Sequence, residues 1–353
     1  MRFEPALLRE VGRMTPPQYR RIDVGDGAPV LRRALCVEQA PPGLIVTPIL
    51  EGICRSDLKE LAGSRAQRRD WGHEFVARVV EAGPGFVPGE RVVLDPDVSI
   101  RRTSGFAEYV LATGSAEQLR RAFRTVSASV PDAAAKFVEP LACAIHCVAK
   151  FRAAALESRR PISDVAILGA GVFGVLIGLL LQGEYRGELF NRSTSVVGAI
   201  EQLRLFKSGS VFSLQSIRAR SADAAIVTTS ELDLATVHRA VECSRPDGLV
   251  VLFAGTSPHQ RLGASLPDVD VVRRRELRLD WPSADGLRTF VGTHGANARD
   301  FERALTSCTA IPVERLVARR VAVADLESTL RELLIPAPRP PGRVVVQFGQ
   351  AGV

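Results

Sequence analysis

The chain has 353 residues, more than one typical core accommodates, so two domains are expected. Its six cysteines are too few for a disulfide scaffold, and we expect a cytoplasmic protein without a signal peptide or a membrane span. The formal net charge of +7 comes mainly from arginines dispersed among acidic residues, so neither nucleic acid nor a membrane is a predicted partner.

The first 145 residues have the pattern of short strands separated by turns. Strands are predicted over residues 44–50, 75–81 and 90–94, with turn residues between them. This pattern is typical of a partly open β barrel.

Four residues of this first part are candidate metal ligands. Cys54, His73, Glu74 and Glu139 supply a thiolate, an imidazole and two carboxylates. Zinc accepts all three donor types, and a catalytic zinc uses three protein ligands and leaves a fourth position open. Cys54, His73 and Glu139 fit that requirement, although lone cysteines and histidines are also ordinary core residues.

A nucleotide-binding fingerprint follows at residues 165–181. The apolar run 165–168 leads into Gly169, Gly171 and Gly174, with Val172 and Phe173 between the last two glycines, and then into another apolar run. We predict a strand, a tight turn and a helix, with the cofactor pyrophosphate at the helix N-terminus.

The choice of cofactor depends on the end of the next predicted strand, residues 187–190. An acidic residue there would bind the ribose of NAD, but the chain continues with Asn191, Arg192 and Ser193. A planar cation and hydroxyl groups suit a 2′-phosphate, so NADP is favoured over NAD. The alternative is that these serines form only a helix N-cap.

Residues 146–285 continue to alternate strand and helix. Further strands are predicted over residues 224–228, 249–253 and 276–280, with a helix over residues 232–242. This alternation indicates a doubly wound parallel sheet. A final strand is predicted over residues 342–348.

The order of these motifs resembles the zinc-containing alcohol, polyol and sugar dehydrogenases of the medium-chain dehydrogenase/reductase family. The blocks that carry the resemblance are Gly-Ile-Cys-Arg-Ser-Asp (52–57), Gly-His-Glu (72–74), Pro-Gly-Glu-Arg-Val (88–92), Gly-Phe-Ala-Glu-Tyr (105–109), Glu-Pro-Leu-Ala (139–142) and the fingerprint. The resemblance implies an α/β protein with a GroES-like catalytic domain, residues 1–145, to which residues 286–353 return. It also implies a Rossmann domain over residues 146–285 and a homo-oligomer, either a dimer or a tetramer.

The resemblance also assigns roles to the candidate ligands. Cys54 and His73 match zinc ligands, and Glu139 matches a third ligand of the sugar and polyol branch. Glu74 matches a residue that either exchanges as a ligand or only orients the site, and both alternatives stay open.

Two neighbours of Cys54 have implied roles as well. Ser56 matches the hydroxyl that passes the substrate proton, with a loop or helix-cap hydroxyl as the alternative. Arg55 stands where relatives often have His or Gly, and its cation either reaches the cofactor pyrophosphate or an anionic substrate, or is a solvated loop residue.

Two other segments refine the expected site. Many relatives carry four cysteines that hold a structural zinc, whereas residues 95–104 contain none, so we predict one catalytic zinc and no structural zinc. Residues 292–301 resemble a segment near the nicotinamide in glucose dehydrogenases, which makes Asn297 and His294 candidate substrate contacts. Asn297 could instead cap a helix over residues 299–305. Cys143 and Cys147, one helical turn apart, are a weaker metal candidate.

Together these features predict a zinc-dependent NADP(H) oxidoreductase that interconverts a secondary alcohol and a ketone, or a lactol and a lactone. The expected substrate is a polyhydroxylated small molecule such as a sugar, cyclitol or amino-sugar. The alternatives are a zinc-free reductase of an activated double bond and a non-catalytic NADP-binding redox sensor.

Overall fold

The computed structural model describes residues 18–25, 28–35, 43–63, 70–81, 83, 85–256, 262–335 and 341–349. These residues form two compact units. The first unit contains the described residues up to Ser127, Val321–Ile335 and the described residues from Val346 onward. The second unit contains Ala128–Arg320 and the described residues up to Val345.

The first unit is built on short antiparallel strands. Its elements up to Ser127 are β1 (Gln18–Gly25), β2 (Ala28–Leu35), β3 (Gly43–Gly52), α1 (Arg55–Leu61), β4 (Glu74–Glu81), β5 (Arg91–Leu94), β6 (Arg101–Arg102), β7 (Val110–Thr113), α2 (Ala116–Ala122) and β8 (Phe123–Thr125). Strands β1 and β2 form a hairpin, while β3, β4, β5 and β8 are neighbours in that order and β7 pairs with both β3 and β6. The strands predicted in this region are therefore confirmed.

Alternating apolar side chains hold this sheet together. Leu44 and Val46 of β3 pack in one buried cluster with Phe75 and Ala77 of β4 and with Phe123 of β8. Successive side chains of a strand point to opposite faces, so residues two apart reach the same core. At the far end of the same strand pair, Gly52 at the end of β3 is paired with Glu74 at the start of β4.

The second unit alternates strands and helices. Its elements are α3 (Asp132–Ala135), α4 (Val138–Leu156), β9 (Asp164–Leu168), α5 (Val172–Leu181), β10 (Arg186–Asn191), α6 (Thr194–Gln202), β11 (Val211–Ser213), β12 (Ala222–Val227), α7 (Leu234–Cys243), β13 (Ser244–Leu252), α8 (Val269–Arg274), β14 (Arg278–Ser283), β15 (Gly286–Gly292) and α9 (Ala298–Ser307). The chain continues through β16 (Val317–Ala322), α10 (Leu326–Leu334) and β17 (Arg343–Gln347).

Within the described part of the chain, no helix is long and apolar enough to cross a membrane.

The sheet of the second unit has the order β11-β10-β9-β12-β13-β15-β14. All neighbouring pairs are parallel except β14 and β15. The chain order reverses between β9 and β12, and ligands of doubly wound sheets bind beyond the carboxyl ends of the strands at such a point. Every side chain of Val165–Leu168 in β9 is buried, as expected for a central parallel strand.

One strand of this sheet differs from its prediction. A parallel strand is predicted over residues 276–280, but β14 covers Arg278–Ser283 and runs antiparallel to β15. Only Ala284 and Asp285 separate the two strands, and so short a connection joins antiparallel neighbours, since parallel strands need a long crossover. The sixth parallel strand is β15, which sequence periodicity did not indicate.

Candidate active site

The first unit brings three of the candidate metal ligands together. Cys54 directly precedes α1 at the end of β3, while His73 and Glu74 lie at the start of β4. Because Gly52 is paired with Glu74 across the two strands, ligand atoms of Cys54, His73 and Glu74 all lie within 4.8 Å of one another. Cys54 and Glu74 are buried, with 7% and 0% of their surface exposed. The three donors therefore face one another in a largely water-free place.

Asp57 holds this group in position. Its Oδ2 accepts the N–H of Cys54 at 3.0 Å, and its Oδ1 accepts the N–H of Gly72 at 2.9 Å. Its Oδ1 also lies 3.1 Å from Nδ1 of His73. Because a carboxylate only accepts, Nδ1 of His73 donates and Nε2 keeps its lone pair for a metal.

The charge of Asp57 follows from these contacts. Burial alone would raise the pKa of the Asp57 carboxyl, but His73 and the two backbone N–H groups outweigh burial and hold that pKa below its usual value. The carboxylate therefore stays ionised and keeps the His73 ring oriented. No role for Asp57 was predicted from the sequence, where it is the last residue of the block 52–57. An acid three residues after Cys54 is nevertheless the signature of a helix-capping pair.

A second buried carboxyl, Glu51, was not anticipated. It lies in β3 with 0% of its surface exposed, and among the described residues neither of its oxygens has a hydrogen-bond partner. Burial, followed by the nearby Asp57 carboxylate, raises the pKa of Glu51 well above its usual value. A Cβ on Gly72 or Gly105 would come within 2.4 or 2.6 Å of its Oε1, so these glycines leave the room that it occupies.

The donor set of the first unit fits zinc. A cysteine thiolate, a histidine nitrogen and a carboxylate are all zinc ligands, and a second carboxylate that orients the histidine is typical of such sites. Among the described residues, Cys54, His73 and Glu74 are the one group of this kind with three or more members.

The two neighbours of Cys54 occupy the first turn of α1. Arg55 is exposed, whereas the hydroxyl oxygen of Ser56 is shielded from solvent and has no hydrogen-bond partner among the described residues. A buried hydroxyl without a partner is uncommon in proteins and leaves room for a ligand to supply one.

Glu139 belongs to the second unit. It lies in the first turn of α4, 7% exposed, and its Oε1 accepts the Sγ–H of Cys143 at 3.4 Å. Its role as a zinc ligand stays a prediction. Cys147 lies one turn further along α4 in the core, and burial raises the pKa of its thiol far above the usual value. A thiol must lose its proton to bind a metal, so this burial disfavours a site at Cys143 and Cys147.

The fingerprint glycines of the second unit form a cradle at the carboxyl end of β9. Gly169 has a φ of +120°, a conformation that side chains disfavour, and a Cβ there would lie 2.8 Å from the backbone of Thr228. A Cβ on Gly174 would lie 1.9 Å from the carbonyl oxygen of Gly169, so only glycine lets the helix approach the turn this closely. Gly171, in contrast, faces open space at the N-terminus of α5.

The residues around this cradle suit a dinucleotide. Val172 is buried and Phe173, partly buried, packs its ring 4.8 Å from that of Phe253. Thr228, which sequence reasoning did not identify, donates its hydroxyl to the carbonyl oxygen of Gly169 at 2.7 Å and so fixes the turn. The open position at Gly171 and the free N–H groups of the helix start are what a pyrophosphate requires.

The segment after β10 keeps its hydroxyl groups available. Asn191 accepts the N–H of Ser193 at 2.9 Å, and the hydroxyls of Ser193 and Ser195 lie 2.7 Å apart. Ser193 occupies the N-cap position of α6 but makes no side-chain cap bond. The guanidinium of Arg192 is 69% exposed, with Asp233 at 3.9 Å. Ser193 therefore has the N-cap position that the helix-cap alternative predicts, but its hydroxyl bonds to that of Ser195 and does not cap the helix.

Asn297 and His294 lie on the loop between β15 and α9. Asn297 caps α9, because its Oδ1 accepts the N–H groups of Arg299 and Asp300 at 2.9 and 3.2 Å. His294 is exposed, and its backbone N–H donates to Glu276 Oε1 at 3.1 Å. Both residues line a cavity of about 420 Å³ within the second unit. The cap is thus formed, while the substrate contacts stay predictions.

The chain matches no protein-family model and no curated protein sequence. Solved structures do share its fold. A Sinorhizobium meliloti protein described as a zinc-binding dehydrogenase, solved with NADP, has a TM-score of 0.70 and 22% identity over 94% of this chain and 99% of its own. Escherichia coli galactitol-1-phosphate dehydrogenase has a TM-score of 0.68 and 19% identity over 94% of this chain and 100% of its own. Haloferax mediterranei glucose dehydrogenase, solved with NADP, zinc and gluconolactone, has a TM-score of 0.68 and 15% identity over 95% and 100%.

These similarities define the class of fold. The protein combines a GroES-like unit with a Rossmann-type unit, as these dehydrogenases do. Its fold is that of the zinc-dependent medium-chain dehydrogenases, which confirms the fold that the sequence resemblance implies.

Proposed function

We propose that the protein is a zinc-dependent oxidoreductase that transfers a hydride between NADP(H) and a secondary alcohol or ketone, or a lactol or lactone. The observation that carries this proposal is the group Cys54, His73 and Glu74, whose ligand atoms lie within 4.8 Å of one another. It occurs in a chain whose second unit presents a glycine cradle for a dinucleotide. A metal donor set and a dinucleotide cradle are the two parts that hydride transfer from an alcohol needs.

The residues of the first unit have distinct roles in this proposal. Cys54 and His73 hold the zinc, with Glu74 or Glu139 as the carboxylate ligand. Bound zinc would act as a Lewis acid, lowering the pKa of an alcohol oxygen and polarising a carbonyl oxygen. Asp57 keeps Nε2 of His73 directed at the metal position. Burial of Cys54 and Glu74 excludes water, which strengthens every charge interaction there.

Ser56 moves the substrate proton in this proposal. In the oxidative direction its hydroxyl can accept the proton of the substrate alcohol while releasing its own proton toward solvent. In the reductive direction it can deliver a proton to the oxygen of the carbonyl substrate and take one up from solvent. The support is its buried oxygen, which lacks a partner among the residues that the structure describes. A hydroxyl that is buried without a hydrogen-bond partner gains one when a substrate oxygen binds beside it.

The second unit binds the cofactor. Gly169, Gly171, Val172, Phe173 and Gly174 form the pyrophosphate cradle. We assign the 2′-phosphate of NADP to the segment at the end of β10, because its exposed guanidinium and paired hydroxyls suit a dianion. The segment consists of Asn191, Arg192, Ser193 and Ser195. Arg55, exposed beside Cys54, is the proposed additional contact to the pyrophosphate.

The substrate in this proposal is a polyhydroxylated small molecule. Asn297 and His294 line a cavity of about 420 Å³, within the range of ligand pockets, together with charged and amide groups suited to hydroxyls. The glucose and galactitol-1-phosphate dehydrogenases that share the fold support this substrate class. By the same resemblance we propose a cytoplasmic homo-oligomer, a dimer or a tetramer, with one zinc per chain.

Zinc content and turnover test this proposal together. We expect about one zinc per chain by elemental analysis and NADP-dependent oxidation in a screen of sugars and cyclitols. Cys54→Ala and His73→Ala should lose the zinc and the turnover but keep NADPH binding, because the cradle belongs to the other unit. Cys243→Ala, which removes another buried thiol, is the matched control and should keep all three properties.

Other outcomes would favour the alternatives. NADPH binding with no zinc in a metal-replete preparation, combined with reduction of an activated double bond, would indicate the zinc-free reductase. Zinc and NADPH binding without turnover on any alcohol or carbonyl would indicate the redox sensor. Loss of NADPH binding in both the Cys54 and His73 variants would contradict the separation of metal and cofactor sites.

A further inference from the structure

His146 of α4 is the centre of an ion-pair network that the proposed mechanism does not use. It is 7% exposed and lies on the same helix face as Glu139 and Cys143, seven and three residues earlier. Its Nδ1 is 2.7 Å from Asp300 Oδ2, and its Nε2 is 2.5 Å from Glu276 Oε1. Each ring nitrogen is therefore within hydrogen-bond distance of a carboxyl oxygen, and the ring bridges the two acids.

Glu276 occupies a backbone position that ordinarily belongs to glycine. It follows the C-terminus of α8 with a φ of 52° in the left-handed region. The N–H of Leu277 donates to the carbonyl oxygen of Val272, which closes the helix end. Residues other than glycine are disfavoured in this conformation. We therefore expect the side chain at this position to make contacts that offset the strain. That of Glu276 binds His146, the N–H of His294 and Lys150, the last at 2.6 Å.

Asp300 extends the network to the other end of the same loop. Its Oδ2, which binds His146, also accepts the N–H of Asn297 at 3.1 Å. Asn297 in turn caps α9. His146 is thus connected to His294 through Glu276 and to Asn297 through Asp300, so one imidazole fixes both ends of the loop between them.

The position of this loop gives the network a function. The loop follows the carboxyl end of β15, the edge of a doubly wound sheet at which ligands bind. It carries both candidate substrate residues and lines the cavity of about 420 Å³ together with His146, Lys150, Glu276 and Asp300. A loop that contacts substrate must be held in one conformation, since small displacements at a reacting centre cost much of the rate.

We propose that His146 is a positioning residue, which fixes the loop from Thr293 to Asn297 by bridging Glu276 and Asp300. It acts on the loop through these carboxylates. The effect on turnover rests on the proposed function, whereas the effect on the loop does not. The geometry therefore assigns to His146 a consequence that can be measured without any substrate.

Hydrogen exchange of the purified full-length protein tests this proposal. His146→Gln replaces a ring that reaches both acids by an amide that donates from one end, so at least one carboxyl group loses its partner. We expect amide exchange over residues 293–300 to accelerate about tenfold or more, because a hydrogen bond that holds the loop is lost, while residues 169–181 are unaffected. Arg152→Gln is the matched control, since it removes another hydrogen-bonding side chain from α4, one bonded to Glu184 at 2.9 Å. It should leave the loop unchanged.

Glu276→Gly provides a second variant that should fold. Glycine suits the left-handed backbone of position 276, so the turn is retained while the carboxylate is removed. We expect the same faster exchange over residues 293–300 without a lower melting temperature. Unchanged loop exchange in either variant, or acceleration spread evenly over the second unit, would overturn the proposal.

Kinetics separate positioning from a purely structural role. In the His146→Gln variant we expect kcat/KM for the alcohol to fall while the Kd for NADPH and the zinc content stay at wild-type values. An unchanged kcat/KM alongside a lower melting temperature would show that His146 only stabilises the fold. If the wild-type protein turns over no alcohol, the proposed function fails, and the exchange experiment still decides whether His146 holds the loop.

Discussion

Asp57→Asn tests the reasoning about the zinc site most directly. Three donors converge on the Asp57 carboxylate at 2.9 to 3.1 Å. Two are the buried backbone N–H groups of Cys54 and Gly72, and the third is Nδ1 of His73. An asparagine keeps one accepting oxygen and places an NH₂ group where the other oxygen was. In either orientation of the amide at least one buried donor faces another donor.

The expected cost has two parts. An unpaired buried donor destabilises the zinc-free protein by about 1–3 kcal/mol. Loss of the carboxylate that orients His73 should also weaken zinc binding about 10- to 100-fold, or about 1.4–2.8 kcal/mol. The two effects are separable because the first is present without zinc.

Chelator competition and urea unfolding measure these two parts. Zinc affinity is obtained by titration against a chromophoric chelator, and stability by urea unfolding of the zinc-free protein. Asp268→Asn is the matched control: Asp268 caps α8 by accepting the N–H of Val271 at 3.0 Å, and asparagine caps a helix equally well. A zinc affinity of Asp57→Asn within about twofold of the wild type would refute the role assigned to Asp57. Removal of a residue that orients a metal ligand normally lowers the metal affinity by more than about twofold.

Three further predictions concern other residues. Arg192→Ala should weaken binding of NADPH far more than that of NADH, measured by fluorescence titration, and equal weakening of both would remove the case for NADP. Gly174→Ala should abolish binding of both cofactors, because its Cβ would lie 1.9 Å from the carbonyl oxygen of Gly169; wild-type affinity by titration would contradict the cradle. Burial raises the pKa of Asp95 to about 6, so its contribution to stability is present below about pH 4 and is lost as the pH rises through 6. In chelator-treated samples, urea unfolding at pH 4 and 7 should therefore show the wild type losing about 2 kcal/mol relative to Asp95→Asn, and a change of opposite sign would be contrary evidence.

The sequence predicts most of the fold because local patterns encode it. The apolar run before Gly169 and the glycine spacing predict a strand, a turn and a helix, and β9 and α5 have these positions. The direction of β14 was not predictable from periodicity, since a period of two indicates a strand but not its orientation. That direction follows from the two-residue connection to β15.

The candidate site was predicted less completely, and the reason is physical. The proximity of Cys54 to His73 and Glu74 depends on the pairing of β3 with β4, which local sequence patterns do not reveal. These residues were grouped through the family motifs instead. Glu51 had no such motif. A carboxylate at a strand end is ordinarily expected to face solvent, whereas here Gly72 and Gly105 leave space for it in the interior.

The sequence leaves open whether Glu74 or Glu139 is the carboxylate ligand of the proposed zinc. The location of the donors bears on that choice. A catalytic zinc needs three protein ligands, and Cys54, His73 and Glu74 supply three donors within the first unit alone. The order of elements explains this, because the C-terminal end of β3 lies beside the start of β4, and the three donors are at that edge of the sheet. In the proposed function the first unit would then hold the zinc without a ligand from the second unit.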